Sequence, residues 1–98
     1  MMGEQPTHNG MYERAADLLE AELADEILAL DPKGGSCFGF NPVAASVWRR
    51  LERPASFDDL RRALLHEYEV SDEQCTQELK ELMKAMIGHG LVRRSALS

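Results

Sequence analysis

Apolar and polar side chains alternate with a period of two early in the chain. Leu19, Ala21 and Leu23 alternate with Glu20 and Glu22, a pattern typical of a strand with one buried face. Two further short apolar runs follow, each after a cluster of turn-forming residues. The three predicted strands are residues 18–23, 27–30 and 36–40. Short strands joined by turns predict an antiparallel β-meander, in which successive side chains alternate between the two faces of the sheet.

After Asn41 the apolar spacing changes from two residues to three and four, which is typical of helices. Asn41 is a favoured N-cap, and Pro42 stands at the first helical position, where proline loses no hydrogen bond. Ser56 and Ser71 can each cap a further helix, because an acidic or amide side chain follows three residues later. The last helix ends at Gly88. The sequence therefore predicts an α+β fold of the winged helix-turn-helix type, with a three-stranded antiparallel β-sheet followed by three α-helices.

The length of 98 residues predicts a single domain. We expect a flexible N-terminal segment at residues 1–17, a folded domain at 18–92 and a flexible C-terminal tail at 93–98. A domain of this size buries a core but has little room to enclose a substrate. This favours a binding module over a self-sufficient enzyme.

The charge balance of the chain is acidic, with 17 acidic and 11 basic residues and a net charge of −6. Without a basic excess, attraction to phosphate backbones has no obvious source. A winged helix would read DNA with its third helix, here residues 71–88, and that helix carries more acidic than basic side chains. We therefore expect no nucleic-acid partner.

The sequence lacks the residue patterns of common catalytic and metal sites. The two cysteines, Cys37 and Cys75, form neither a disulfide framework nor a four-ligand zinc set. His8, His66 and His89 are explained most simply as exposed or capping side chains, and no P-loop, nucleophile elbow or zinc-protease motif is present. We predict no catalytic residue, no metal and no cofactor. No apolar run is long enough for a signal sequence or a membrane span, so we expect a cytoplasmic protein with no membrane partner.

A series of short motifs follows one another along most of the chain: Asp31-x-x-Gly34, Phe38-Gly39-Phe40-Asn41, Ala44-Ala45-x-x-Trp48, Phe57-Asp58-Asp59-Leu60, Tyr68-Glu69-Val70-Ser71, Leu79-x-x-Leu82 and Gly90-Leu91-Val92. In this order and at these spacings, the motifs resemble the PqqD-like family. Members that act in pyrroloquinoline quinone synthesis usually carry a Tyr-Pro-Glu-like segment where this chain has residues 31–35. The resemblance therefore supports membership in the wider family better than that particular pathway, and lasso-peptide and radical-SAM-modified peptide systems remain equally open.

The resemblance implies a RiPP recognition element. Such a domain binds the leader segment of a ribosomally made precursor peptide and presents the core segment to a modifying enzyme, such as a radical SAM enzyme, a leader peptidase or a cyclase. It implies that the leader pairs with the third strand as an added strand and lays its side chains in the groove beside the third helix. The residues expected to bind the leader are Ser36, Cys37, Phe38, Gly39, Phe40, Cys75, Glu78, Leu79, Leu82, Met83 and Met86.

Part of this apolar set must also form the core, because the protein is small. Phe38, Phe40 and Ile87 are expected to be mainly core residues. The residues expected to be shared between the core and the groove are Cys75, Leu79 and Met83.

Two alternatives to leader binding remain open from the sequence. One is a DNA-binding winged helix, which would show a steep loss of affinity for duplex DNA with salt. The other is a structural subunit, in which the exposed strand edge pairs with a second copy of the chain to give a homodimer.

Overall fold

The structure, a computed structural model, describes residues 10–95. Its strands are β1 Met11–Arg14, β2 Leu19–Leu23, β3 Glu26–Leu30, β4 Cys37–Phe40, β5 Ala55–Ser56 and β6 Val92–Ser95. Its helices are α1 Pro42–Arg50, α2 Phe57–Glu67 and α3 Asp72–Gly88. The predicted α+β fold, a meander followed by three helices, is confirmed.

The meander is an antiparallel sheet in the order β2-β3-β4. In the central strand, Ile27 and Ala29 are buried, whereas Leu28 and Leu30 are exposed on the opposite face. Phe40 of β4 pairs with Ile27 and points into the core with it. One face of the sheet therefore packs on the helices, and the other lies in solvent.

Strand β2 forms where the alternation predicts it, but its leucines face solvent and its glutamates lie on the face toward the helices. Leu19 and Leu23 are 61% and 58% exposed. Glu20 instead shares the core-side face with its partner in β3, Ala29. The reason is that Trp48 of α1 offers an indole N–H to the Glu20 carboxylate. The strand pattern contains no sign of this polar partner, so it cannot assign the buried face.

A second sheet, in the order β5-β1-β6, joins the two ends of the described chain. Its central strand lies within residues 1–17 and its edge strand β6 overlaps residues 93–98, the two segments for which the sequence predicts flexibility. Tyr12 of β1 is buried, and the partner of β1 in β6 lies far away in sequence. Such pairing leaves no local period to detect. Residues 1–9 and 96–98 of the two segments lie outside the described residues.

The three predicted helix starts are confirmed by their caps. The Asn41 side chain accepts a hydrogen bond from the backbone amide of Ala44 at 2.9 Å. Ser56 forms a capping box with Asp59, in which each side chain accepts from the other residue's amide. Ser71 accepts from the third residue of α3 in the same way.

Trp48 of α1 lies at the centre of the core and is fully buried. Its ring contacts Phe40 of β4, with ring centroids 5.4 Å apart. The core also takes one turn-spaced row from α3 and the buried side chains of both sheets. The buried residues around Trp48 and Phe40 are Tyr12, Ile27, Ala29, Ala44, Ala45, Val47, Leu51, Leu60, Leu64, Cys75, Leu79, Met83, Met86, Leu91 and Val92.

A polar contact fastens α1 to the end of α2. Glu67 accepts hydrogen bonds from the Ser46 hydroxyl and the Arg50 guanidinium. Partial burial opposes ionisation of Glu67, but these two donors outweigh it, so the pKa of Glu67 lies below its ordinary value. The contact thus favours the charged carboxylate.

Within residues 10–95, none of the helices combines the length and apolar character that crossing a membrane requires.

Candidate functional site

Among residues 10–95, no further strand pairs with β4, so this edge of the meander carries unpaired backbone groups. Beside the β3–β4 turn, the amide of Asp31 donates to the carbonyl of Ser36 at 2.8 Å. Rungs of an antiparallel ladder alternate, so the next residue of β4 bonded to β3 is Phe38. The amides and carbonyls of Cys37 and Gly39 therefore face away from β3, toward the open edge. An extended peptide could bond to these groups.

The side chains along this edge leave room for an approaching backbone. Gly39 is exposed, and a Cβ atom placed on it would meet no atom within 4 Å. Cys37 is exposed and free, and it shares the solvent face of the sheet with Gly39. Phe38 is half-buried on the opposite face. Neither small residue on the solvent face blocks the edge.

The end of helix α3 lies beside the β4 edge. The ring of Phe38 contacts the ring of His89 edge-on, with centroids 5.6 Å apart. His89 is the C-cap of α3. Counting back by four, three and four residues from His89 gives Ala85, Leu82 and Glu78, which share one side of the helix. We call these four residues the β4 flank of α3.

The β4 flank combines a partly apolar surface with polar ends. Leu82 is half-buried, and Ala85, Glu78 and His89 are exposed. The Glu78 carboxylate accepts a hydrogen bond from the Gln74 side chain at 3.1 Å. The flank therefore offers Leu82 and Ala85 to apolar side chains of a bound segment, with a carboxylate toward one end and an imidazole at the other.

The structure separates the site residues predicted from sequence into two groups. Four of the predicted groove residues are almost fully buried and form core contacts instead of an open surface: Cys75, Leu79, Met83 and Met86. Their burial accords with the expected core role, and a share of Cys75, Leu79 and Met83 in leader binding stays a prediction. Burial also raises the pKa of the Cys75 thiol. The predicted residues at the edge or on the flank are Ser36, Cys37, Phe38, Gly39, Phe40, Glu78 and Leu82.

Two residues of the flank are not predicted from the sequence, and the expected core position of Ile87 is wrong. Ala85 and His89 carry no signal of their own, but their spacing from Leu82 could have found them. Ile87 was expected in the core and is 38% exposed, on the opposite side of α3. Its place in the apolar stripe is at the margin, where α2 and β6 do not cover it. Phe40 is buried as expected.

The other edge of the meander, at β2, carries two charged side chains that hinder pairing with a further strand. Since Ala29 is bonded to β4, its neighbours in β3 are bonded to β2, which leaves the amides of Glu20 and Glu22 facing the open edge. Both carboxylates lie on the core side of the strand. Glu20 accepts from the Trp48 indole at 2.7 Å, and Glu22 pairs with Arg49 at 3.2 Å. Charges that point inward on an edge strand hinder a further strand from pairing there.

Metal ligands do not cluster in the described part of the chain. Between residues 10 and 95, no group of three or more His, Cys, Asp or Glu side chains could hold a metal ion. The two cysteines are both free.

Comparison with known proteins identifies the family. The profile of the family described as Coenzyme PQQ synthesis protein D (PqqD) matches residues 26–92. This chain belongs to the PqqD family. The match covers β3, β4 and all three helices, and so includes the β4 edge and the flank of α3 beside it. No curated protein sequence matches the chain.

Two solved structures share the fold of this PqqD-family protein. One is described as TbiB1 in complex with the TbiA(beta) leader peptide; it is 23% identical, has a TM-score of 0.72, and the match covers 87% of this chain and 99% of that chain. The other is a lasso peptide synthetase B1 complexed with the leader peptide; it is 21% identical, has a TM-score of 0.69, and the match covers 84% and 96% of the two chains. These similarities show that the β-meander and three helices form a shared fold.

Proposed function

We propose that this PqqD-family protein is a non-catalytic adaptor. It binds the leader segment of a ribosomally synthesised precursor peptide by strand addition and presents the peptide to a modifying enzyme. The observation that carries the proposal is the open β4 edge, with the amides of Cys37 and Gly39 unpaired beside the flank of α3. Both structural neighbours are described as complexes with leader peptides, which supports the same use of this fold.

Strand addition divides recognition between backbone and side chains. The leader backbone bonds to Cys37 and Gly39, which gives affinity for any extended segment. Alternate leader side chains then point to the helix side, where they meet Phe38, Leu82 and His89. Selectivity arises from the fit of those side chains.

The proposed site keeps the edge and flank residues and assigns a different role to the buried ones. The contact residues are Ser36, Cys37, Phe38, Gly39, Glu78, Leu82, Ala85 and His89. The supporting residues, which lie buried beneath this surface, are Phe40, Cys75, Leu79, Met83 and Met86.

The experiment that tests binding is a titration with synthetic leader peptides. The peptides are taken from precursor genes that neighbour the gene for this protein, each paired with a scrambled peptide of the same composition. We expect micromolar or tighter affinity for one leader and at least about tenfold weaker binding of its scrambled form. Absence of binding by every neighbouring leader would refute the proposal.

The adaptor role extends the proposal to a partner enzyme. The chemistry belongs to a separate cytoplasmic enzyme of the radical SAM, leader peptidase or cyclase class, and residues 18–92 carry the peptide-binding surface. We expect modification of the full precursor by the neighbouring enzyme to require this protein. Modification at the same rate without it would remove the adaptor role and leave only peptide binding.

The same open edge supports a second candidate, pairing of β4 with β4 of another copy. Light scattering across concentrations, with and without leader, separates the two. An adaptor stays monomeric or becomes monomeric on adding leader, whereas a structural subunit remains dimeric.

A further inference from the structure

A groove runs along the side of α3 that faces away from β4. It lies between α2, α3 and the strands β1 and β6, with a volume of about 930 Å³. Apolar side chains of Tyr12, Phe57 and Ile87 line it. The exposed position of Ile87, which the sequence assigns to the core, opens onto this groove. We call this surface the α2–α3 groove.

Three cations line the groove without a carboxylate partner among residues 10–95. Lys80 and Lys84 follow each other by one helical turn on α3, and Arg94 projects from β6. None of them lies within ion-pair distance of a described acidic side chain. Arg94 instead lies over the ring of Tyr12, 5.7 Å from its centroid. Uncompensated positive charge is thus concentrated here in a chain of net charge −6.

A neighbouring cation, in contrast, has its charge compensated by carboxylates of the same protein. Arg61, also at the groove, is held by Asp58 at 2.6 Å and by Asp72 at 2.8 Å. These carboxylates raise the pKa of Arg61, with the Asp58 hydrogen bond as the largest cause. Among the described residues, no carboxylate lies within ion-pair distance of Lys80 or Lys84, so both can pair with an external anion.

We propose that the α2–α3 groove is a second docking site, which takes an acidic segment with apolar side chains from a protein partner. Carboxylates of the segment pair with Lys80, Lys84 and Arg94, and its apolar side chains pack on Phe57 and Ile87. Naming the modifying enzyme as that partner rests on the proposed function. Because the groove and the β4 flank lie on opposite sides of α3, leader and enzyme can be bound at the same time.

A protein segment fits this groove better than a nucleic acid does. The apolar lining offers a duplex backbone nothing to bond. A peptide can place carboxylates on the lysines and apolar groups on the lining, and so satisfy both kinds of surface.

The test uses the full chain and a fluorescein-labelled peptide of sequence Glu-Leu-Glu-Glu-Leu-Phe-Glu. Its matched control is the peptide with lysine at every glutamate position. The variant is Lys80→Glu with Lys84→Glu, and its matched protein control is Lys33→Glu with Arg53→Glu. The control changes the charge equally at two exposed cations away from the groove. Thermal unfolding of both variants checks that they fold.

The proposal predicts binding of the acidic peptide that weakens with salt, because the contacts are exposed charges. The groove variant should weaken it by at least about tenfold, since two contacts change from attractive to repulsive, and the control variant should leave it unchanged. Backbone resonance shifts should fall on Lys80, Lys84 and Arg94, and leader peptide should not compete. Equal binding of the lysine peptide, equal loss in both variants, or shifts at β4 instead of the groove would overturn it. The proposal would also be overturned if the groove variant weakened binding of duplex DNA but left binding of the acidic peptide unchanged.

This experiment separates the two proposals. Groove binding without any leader binding at β4 would leave the docking site standing and remove the adaptor function. Leader binding without groove binding would do the reverse.

Discussion

The two edge strands of the meander, β2 and β4, differ in the side chains that they direct toward the helices. The inward side chains of β2 are Glu20 and Glu22, held by α1. Those of β4 are Phe38 and Phe40, which pack on apolar groups. Each edge carries unpaired amides, yet one of them continues into an apolar surface and the other into charges. We therefore expect the inward side chains, more than the exposed backbone, to decide which edge accepts an added strand.

The largest expected effect comes from removing an amide from each edge in turn. Gly39→Pro deletes an outward N–H of β4 without breaking a bond to β3, so the protein should still fold. We expect leader affinity to fall by about 10- to 100-fold, because the peptide carbonyl loses its donor. Calorimetric titration measures this loss.

The matched change on the other edge is Glu22→Pro. It also removes an outward N–H, together with an exposed ion pair of little energetic value. We expect unchanged leader affinity. Gly39→Ala, which keeps the amide and meets open space, should bind as the original does. Equal losses in the two proline variants would break the distinction between the edges.

A second prediction concerns the bond that fixes β2. Glu20→Ala removes the carboxylate that accepts from the indole N–H of Trp48 at 2.7 Å. The buried indole N–H is then left without this acceptor, and Arg14 loses its ion pair with Glu20, at 3.6 Å. We expect the free energy of unfolding to fall by about 1–3 kcal/mol, while leader affinity per folded molecule stays constant. Chemical denaturation and titration of the same sample give both numbers, and a loss of affinity would show that β2 takes part in binding.

A third, smaller effect is expected at the turn that joins β2 to β3. Ala24 has a backbone φ of 58°, a conformation that costs a residue with a Cβ atom but not glycine. Ala24→Gly should raise the free energy of unfolding by about 0.5–1 kcal/mol. Ala21→Gly, in the adjacent strand, should lower it. If Ala24→Gly instead lowers the free energy of unfolding, the positive φ of Ala24 does not destabilise the turn between β2 and β3.

The smallest effect is expected from Glu67, which fastens the helix that anchors β2. Its pKa is lowered in the folded protein, so its contribution to stability is present above the ordinary value of 4.5 and is lost as the pH falls through the folded pKa. Glu67→Gln should flatten the acid limb of the stability curve below about pH 4.5, by less than about 1 kcal/mol because the side chain is partly exposed. An unchanged acid limb would mean that Arg50 and Ser46 do not hold the charged form.

The sequence predicts the local parts of this fold well. Helix starts at Asn41, Ser56 and Ser71 depend on caps that lie within three residues, and all three are present. The meander depends on period-two runs and turn residues, which are also local. The second sheet is missed because Tyr12 pairs with residues at the far end of the chain.

The candidate site is predicted in part, for a comparable reason. The β4 edge follows from strand order, since the last strand of a meander has a free side. The α3 residues that line the leader-binding surface cannot be predicted in the same way, because an apolar stripe does not show which of its rows of side chains is buried. Leu79 lies in the centre of that stripe and is buried, whereas Leu82, three residues later, is at its margin. The reversed faces of β2 have the same origin, a tertiary partner of Glu20.

Hydrogen exchange of individual backbone amides tests the central claim most directly. In the free protein the amides of Cys37 and Gly39 should exchange fast, while that of Phe38, bonded to β3, is protected. With saturating leader peptide, we expect Cys37 and Gly39 to slow by at least about tenfold, and Glu20 and Glu22 to remain fast. Unchanged exchange at Cys37 and Gly39, or slowing at Glu20 and Glu22 instead, would contradict strand addition at β4.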